Sequence, residues 1–262
     1  MPNCKRITRS GAVYEVELYP VSETVRDLSK SKPEPANIRT DEEKEQYNRH
    51  KSEKHFVRVV NTNFTSRAYY VTLTYSNEHL PESYSAALRN IDNYTRRLKY
   101  SNPNAIIISV TGYGSRSGRL HHHLIISGVA ESDITGKWIL GDIAKVEHLR
   151  KDNYYNGVNH GEDFTALAVY LHDHAPKEHK GKRWKQTKNI QQPVQGKAKP
   201  VKRAYSTERP PKAPKGYMLV EARTNNYYKS GYMYFKYVRE AQKPLNIQPI
   251  FKNHGAGVSA RR

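Results

Sequence analysis

Residues 118 to 128, "GRLHHHLIISG", run three histidines straight into an apolar segment. Leu124, Ile125 and Ile126 mark that segment as a β-strand, and a strand alternates its faces. His121 and His123 therefore share one face, and His122 takes the other. Two imidazoles on one face can hold a divalent ion, completed by a carboxylate or other polar side chain and by water or substrate. The same pattern also fits a chance polar cluster at a strand entry. If the ion is Mg²⁺ or Mn²⁺, it would polarise a phosphodiester and stabilise the charge that builds on it. A tyrosine hydroxyl could then attack phosphorus and form a phosphotyrosine.

Such a tyrosine needs a rigid element beside the histidine strand, and Tyr170 in "LAVYLHDH" suits it. If that segment is helical, Asp173 and His174 follow on the same face and could touch the metal or the phosphate. The spacing equally fits a half-buried helix aromatic followed by a polar helix end.

The elements that must position these groups are legible in outline. Residues 12 to 19 alternate as a strand. Asp41 opens a helical segment with acids in its first turn and bases after it, as the helix dipole favours. Residues 68 to 76, "AYYVTLTYS", are rich in β-branched and aromatic residues and form a strand. Ala87, Ile91, Tyr94 and Leu98 recur at three- and four-residue spacing, an amphipathic helix. Residues 104 to 112 form an apolar strand, joined by the turn "YGSRSG" to the histidine strand as a long hairpin. Trp138 and a turn at Gly141 follow. Phe164, Leu167, Ala168 and Leu171 line one side of a short helix over 163 to 175, which Pro176 ends.

The totals bound the rest. The chain has 262 residues with a formal net charge of +19, which points to a polyanionic partner, nucleic acid first. Twenty tyrosines against five phenylalanines suit stacking on single-stranded bases, or half-buried strand positions. The single cysteine, Cys4, excludes an intrachain disulfide and a cysteine-rich zinc site, and fits a reducing cytosol. No apolar run is long enough to span a membrane, and no signal-peptide pattern is present, so a soluble, intracellular protein is expected.

The organisation expected is an N-terminal extension (1–40), a catalytic core (41–175), a basic flexible arm (176–215), a C-terminal β-hairpin (216–240) and a disordered tail (241–262). Lysine and arginine dominate the arm and prolines interrupt it. The fold class expected is α+β, a central antiparallel sheet with helices on one face.

The order "AYYVTLTYS", "GRLHHHLIISG", "ALAVYLHDH" resembles the three motifs of HUH-type rolling-circle replication initiators. It is most similar to the replication-associated proteins of phages and plasmids related to the gene II protein of filamentous phages. The resemblance spans roughly residues 45 to 240, and its specific part is the histidine motif with its Arg119-Leu120 lead-in. It implies metal-binding roles for His121 and His123. It implies that Tyr170 cuts one strand of origin DNA, keeps the 5′ phosphate and leaves a free 3′-OH. Thr72, Thr74 and Tyr75 match the first motif, which supports the site and the DNA. Arg119 and the arm residues Lys182, Arg183, Lys185 and Lys188 are the further DNA-binding candidates.

Asp173 stands where the family carries a lysine, which makes it a candidate third metal ligand, with Glu147 and Asp142 as alternatives. Tyr232, Tyr234, Lys236 and Tyr237, with Lys229 nearby, form a rival nucleophile group. The implied cofactor is Mg²⁺ or Mn²⁺. The implied partners are single-stranded origin DNA and the host polymerase and helicase, in the host cytoplasm. A mobilisation relaxase or single-strand transposase of the same superfamily is one alternative. A non-enzymatic, basic nucleic-acid-binding or packaging protein is the other.

Overall fold

The computed structural model describes residues 4–20, 40–114, 118–176, 181–224 and 232–240. In chain order the elements are β1 (Cys4–Ser10), β2 (Val13–Tyr19), α1 (Asp41–Asn63), β3 (Tyr69–Leu73), α2 (Tyr84–Ser101), β4 (Ile106–Tyr113), β5 (Leu120–Ser127), α3 (Glu131–Gly136), β6 (Ile143–His148), β7 (Tyr154–Tyr155), β8 (Val158–Asn159), α4 (Thr165–His174), β9 (Lys185–Gln186), β10 (Val194–Gln195), β11 (Lys199–Pro200), β12 (Tyr217–Thr224) and β13 (Met233–Arg239). The chain has the expected α+β class, with antiparallel sheets.

The central sheet runs β6-β3-β5-β4-β9. Its inner strands carry apolar residues at both parities, so both faces must be covered. Tyr70, Ile108, Val110 and Ile125 pack against Phe56, Val59 and Val60 of α1 and Ala168 and Leu171 of α4. Val71, Leu73, Ile107, Leu124 and Ile126 pack on the opposite face against Ala87, Ile91, Tyr94 and Leu98 of α2 and Ile134 of α3. Helices thus lie on two faces, where the sequence led us to expect one.

Helix α1 starts where the sequence places it. The Thr40 hydroxyl accepts from the Glu43 amide and the Glu43 carboxylate accepts from the Thr40 amide, a reciprocal cap. Ser83 caps α2 by accepting from the Ala86 amide.

The second sheet runs β10-β1-β2-β13-β12, with β11 also on β1. It joins residues expected as separate parts, the N-terminal extension and the C-terminal hairpin. One face is apolar: Tyr14, Val16, Leu18, Phe235 and Tyr237 form its core. The other face carries Arg6, Thr8, Glu15, Glu17, Tyr234 and Lys236, which the strand register brings side by side. That polar face meets α1. Arg58 donates to Glu15 at 2.6 Å and to Glu17 at 2.9 Å, and Lys54 donates to Glu17 at 2.5 Å. The two layers therefore dock through a buried ionic network rather than through an apolar seam.

The segment expected as a flexible arm is held in several places. Lys185 and Gln186 pair with β4, and β10 and β11 pair with β1. Trp184 packs on Phe56, with ring centroids 4.7 Å apart. Its apolar anchors Trp184 and Ile190 were outweighed in the sequence by the surrounding lysines and prolines. The expected tail, 241–262, lies outside the described residues, as does Lys229.

Candidate metal and nucleophile site

Strand β5 presents His121 and His123 on the face that α4 covers, and the end of α4 brings His174 to them. His121 Nε2 lies 3.1 Å from His123 Nε2 and 2.6 Å from His174 Nε2. The ligating atoms of all three lie within 4.8 Å of one another. Ligand bonds of about 2.0–2.2 Å would set such nitrogens roughly 3 Å apart. Two of the three separations lie close to that spacing, so the three nitrogens could hold a metal ion.

The rings are pre-set for ligation. His123 Nδ1 is held by the Tyr70 hydroxyl at 2.7 Å and by Thr72 Oγ1 at 3.1 Å. His121 Nδ1 sits 3.3 Å from the Arg119 carbonyl. These partners turn the Nε2 atoms toward each other, the usual role of groups behind metal-bound histidines. Burial pushes all three imidazoles below their ordinary value, with His123 at about 3 and His174 at about 4. Charge on the neighbouring rings pushes His123 and His174 the same way. Neutral rings keep the lone pairs a metal needs.

His174 reaches the pair because β4 carries Gly112 opposite His121. A Cβ at Gly112 would collide with the His174 ring and its carbonyl. The end of α4 is further pinned by Arg183, which donates to the carbonyls of His172 at 3.3 Å and Ala175 at 3.1 Å. Arg183, a DNA-binding candidate by sequence, is thus occupied as a helix clamp.

Tyr170, one turn before His174, is 51 % exposed. Its ring centroid lies 5.7 Å from those of both His123 and His174. The rival tyrosines are engaged elsewhere. Tyr234 donates to Glu15 at 2.8 Å, Tyr232 to Glu17 at 2.6 Å, and Tyr237 to the Pro211 carbonyl.

Asp173 does not join His121 and His123. It forms an ion pair with Arg49 of α1 at 2.8 Å and belongs to a separate group with Glu53 and His172. Consecutive helix residues differ by about 100° in direction, so Asp173 and His174 cannot both face one point. The other candidate acids are also placed apart. Glu147 pairs with Lys145 at 2.8 Å, and neither it nor Asp142 belongs to the histidine group.

His122 faces the other side of the sheet and is a satisfied core residue. Its Nε2 lies 2.6 Å from the Tyr75 hydroxyl and its Nδ1 2.8 Å from Thr111 Oγ1. Burial holds its pKa down at about 3. Tyr75 is itself buried and braces His122 rather than facing a ligand. Comparison with protein-family models, with curated proteins and with solved structures finds no match to this chain.

The remaining candidates divide by exposure. Arg119 donates to Asn77 at 2.6 Å and to the Tyr75 carbonyl at 2.9 Å, which ties the histidine strand to the end of β3. Lys185 pairs with Asp92. Lys182 and Lys188 are exposed. No helix among the described residues is long and apolar enough to cross a membrane.

Two residues, Tyr70 and Gly112, escaped the sequence reading, and a third, His174, was named there without being singled out. Tyr70 shares the parity of Thr72, so it could have been placed behind His123 from alternation alone. Gly112 interrupts an apolar strand, a recognised mark of close approach. His174 was indistinguishable from Asp173 by spacing.

Proposed function

We propose that this protein nicks and rejoins single-stranded DNA by transesterification through Tyr170, as an initiator of rolling-circle replication. The observation that carries the reading is the half-exposed Tyr170 ring beside three converging imidazoles. The net charge of +19 and the order of the three motifs support nucleic acid as the substrate.

His121, His123 and His174 would hold Mg²⁺ or Mn²⁺. When bound, the ion would polarise the scissile phosphate and offset the charge that builds on it. Tyr170 O attacks phosphorus, the Tyr170 O–P bond forms, and the P–O3′ bond breaks. The phenol loses one proton and the departing 3′ oxygen gains one, so the step is balanced without another reactant. The 5′ phosphate stays on Tyr170 and can be returned to a 3′-OH by the reverse step. Helix α4 keeps the tyrosine and His174 on one face, which fixes the attacking group relative to the ligands. Lys182 and Lys188 would hold backbone phosphates.

The test uses a 3′-labelled single-stranded oligonucleotide library with Mn²⁺, read on a denaturing gel. A labelled protein adduct that disappears in Tyr170→Phe is expected. Binding without any adduct would favour a non-catalytic nucleic-acid-binding protein, and an adduct that survives Tyr170→Phe would move the nucleophile elsewhere.

A further inference from the structure

A cavity of about 680 Å³ opens between α1 and the polar face of the second sheet. Its size lies within the roughly 300–1,000 Å³ of small-molecule sites. The floor is already satisfied. Glu17 is held near 2, because Lys54 and Arg58 outweigh the burial that would raise it. The wall is not satisfied. Thr8 is among the lining residues and almost wholly buried, and its Oγ1 has no hydrogen-bond partner among the described residues. An orphaned hydroxyl costs about 1–3 kcal/mol unless something bonds to it.

The rim carries charge and rings. No carboxylate lies within ion-pair distance of Arg6 or Lys51 among the described residues. The Arg6 guanidinium sits 5.6 Å from the Tyr19 ring centroid, and Tyr47 and Tyr232 complete the lining used here. Surplus positive charge excludes a metal cation, and cations at the wall disfavour a purely apolar ligand. An anion that carries a planar ring fits all three features.

Helix α1 borders both the cavity and α4. Arg49 reaches Asp173, the neighbour of His174, while Lys51 two residues on lines the cavity. We propose that the cavity binds one nucleotide of the single-stranded substrate outside the scissile step. The base lies among the tyrosine rings, the phosphate lies at Arg6 and Lys51, and Thr8 takes a hydrogen bond. The assignment rests on the reading of the protein as a single-stranded DNA nickase, and it adds a subsite that would contribute to register along the strand.

The test is photo-cross-linking of the full chain to a single-stranded oligonucleotide containing 5-iododeoxyuridine, with adducts mapped by peptide mass spectrometry. Adducts on Tyr19 or Tyr47 that excess single-stranded DNA removes, and that thymidine 5′-phosphate does not, are expected. Removal by the free nucleotide at equal nucleotide concentration would assign the cavity to mononucleotides and overturn the proposal, as would adducts confined to other peptides. The double variant Arg6→Gln/Lys51→Ala should bind single-stranded DNA about tenfold more weakly, with a salt slope lower by roughly 0.7 for the one lost phosphate contact. An unchanged affinity and slope in a variant with unaltered melting would overturn it. The Tyr170 adduct is read separately. Cross-links at the cavity without that adduct sustain the subsite and remove the nicking reading, and the adduct without those cross-links does the reverse.

Discussion

Gly112 and His174 occupy one space: β4 lacks a side chain where the last residue of α4 lays its ring over the sheet. The contact joins an otherwise unremarkable strand position to the third imidazole of the candidate site. Gly112→Ala must displace that ring or the helix end that carries it. We expect a loss of about 1–3 kcal/mol in stability from overpacking and at least a tenfold loss in Mn²⁺ affinity. Calorimetric titration with Mn²⁺, beside thermal melting, checks both. Full affinity in the alanine variant would mean that His174 is not a ligand.

Asp173 and His174 make opposite predictions although they are neighbours in sequence. His174→Ala removes one of three converging nitrogens and should abolish measurable Mn²⁺ binding at micromolar concentrations. Asp173→Asn breaks the ion pair to Arg49, a half-exposed contact worth about 0.2–1 kcal/mol, and should leave Mn²⁺ affinity within about threefold. If Asp173→Asn were the more damaging of the two in the titration, the ligand assignment would be reversed.

Tyr70 meets His123 Nδ1 at 2.7 Å. Tyr70→Phe keeps the ring, which stacks beside His123 with centroids 5.7 Å apart, and deletes the hydroxyl. Partners of this kind are worth roughly 10–100-fold in metal affinity. Thr72 remains as a second partner, so the lower end of that range is expected. Metal titration of Tyr70→Phe and of Tyr70→Phe/Thr72→Val would show whether the two hydroxyls act together.

How far these relationships could be read beforehand depended on what each face buries. Ala87, Ile91, Tyr94 and Leu98 are all buried, as their helical spacing implies, because α2 covers an apolar sheet face. Strand β1 left no comparable trace. Its alternation puts Arg6 and Thr8 against α1, so the face that becomes buried is polar and the hydrophobic pattern is missing. Residues 181–190 read as a solvated arm because lysines surround the two apolar anchors that hold them. In the site, alternation alone separated His122 from His121 and His123. The choice between Asp173 and His174 needed the third dimension, since residues three and four after Tyr170 both lie near its face. Arg49, 124 residues away, takes Asp173, and Gly112 makes room for His174.

The depressed histidines make acid stability a further observable. His122 and His123 stand at about 3, and His172 and His174 at about 4, all chiefly through burial. Their ordinary value is 6.5. Between 6.5 and the depressed values, the unfolded chain binds protons that the folded chain does not, so stability rises with pH in that window. The contribution is complete above about 6.5 and is lost as pH falls toward 4. The melting temperature of the metal-free protein should therefore begin to fall well above the carboxylate range. Mn²⁺ should raise the midpoint at neutral pH by mass action and lose that effect at acid pH, where protons compete for the ligands. A midpoint flat from neutral pH down to about 5 would contradict the burial of these rings.

Lys236 and Asp163 test whether the ionic seam between the layers is structural. Lys236 of β13 meets Asp163, just before α4, at 2.6 Å and donates to Thr165 at 2.7 Å. Both charged groups are nearly inaccessible to solvent. Burial alone would raise the Asp163 carboxyl, but the Lys236 ammonium outweighs it and holds it below the usual range. Lys236→Met removes the cation and leaves a buried carboxylate without its charge partner, which should cost about 3–5 kcal/mol. Adding Asp163→Asn removes the stranded charge while an amide can still serve Thr165, and should recover more than half of that loss. Urea unfolding of the two variants supplies the comparison. Equal destabilisation in both would show that packing of the lysine stem, rather than pairing of the charges, joins β13 to α4.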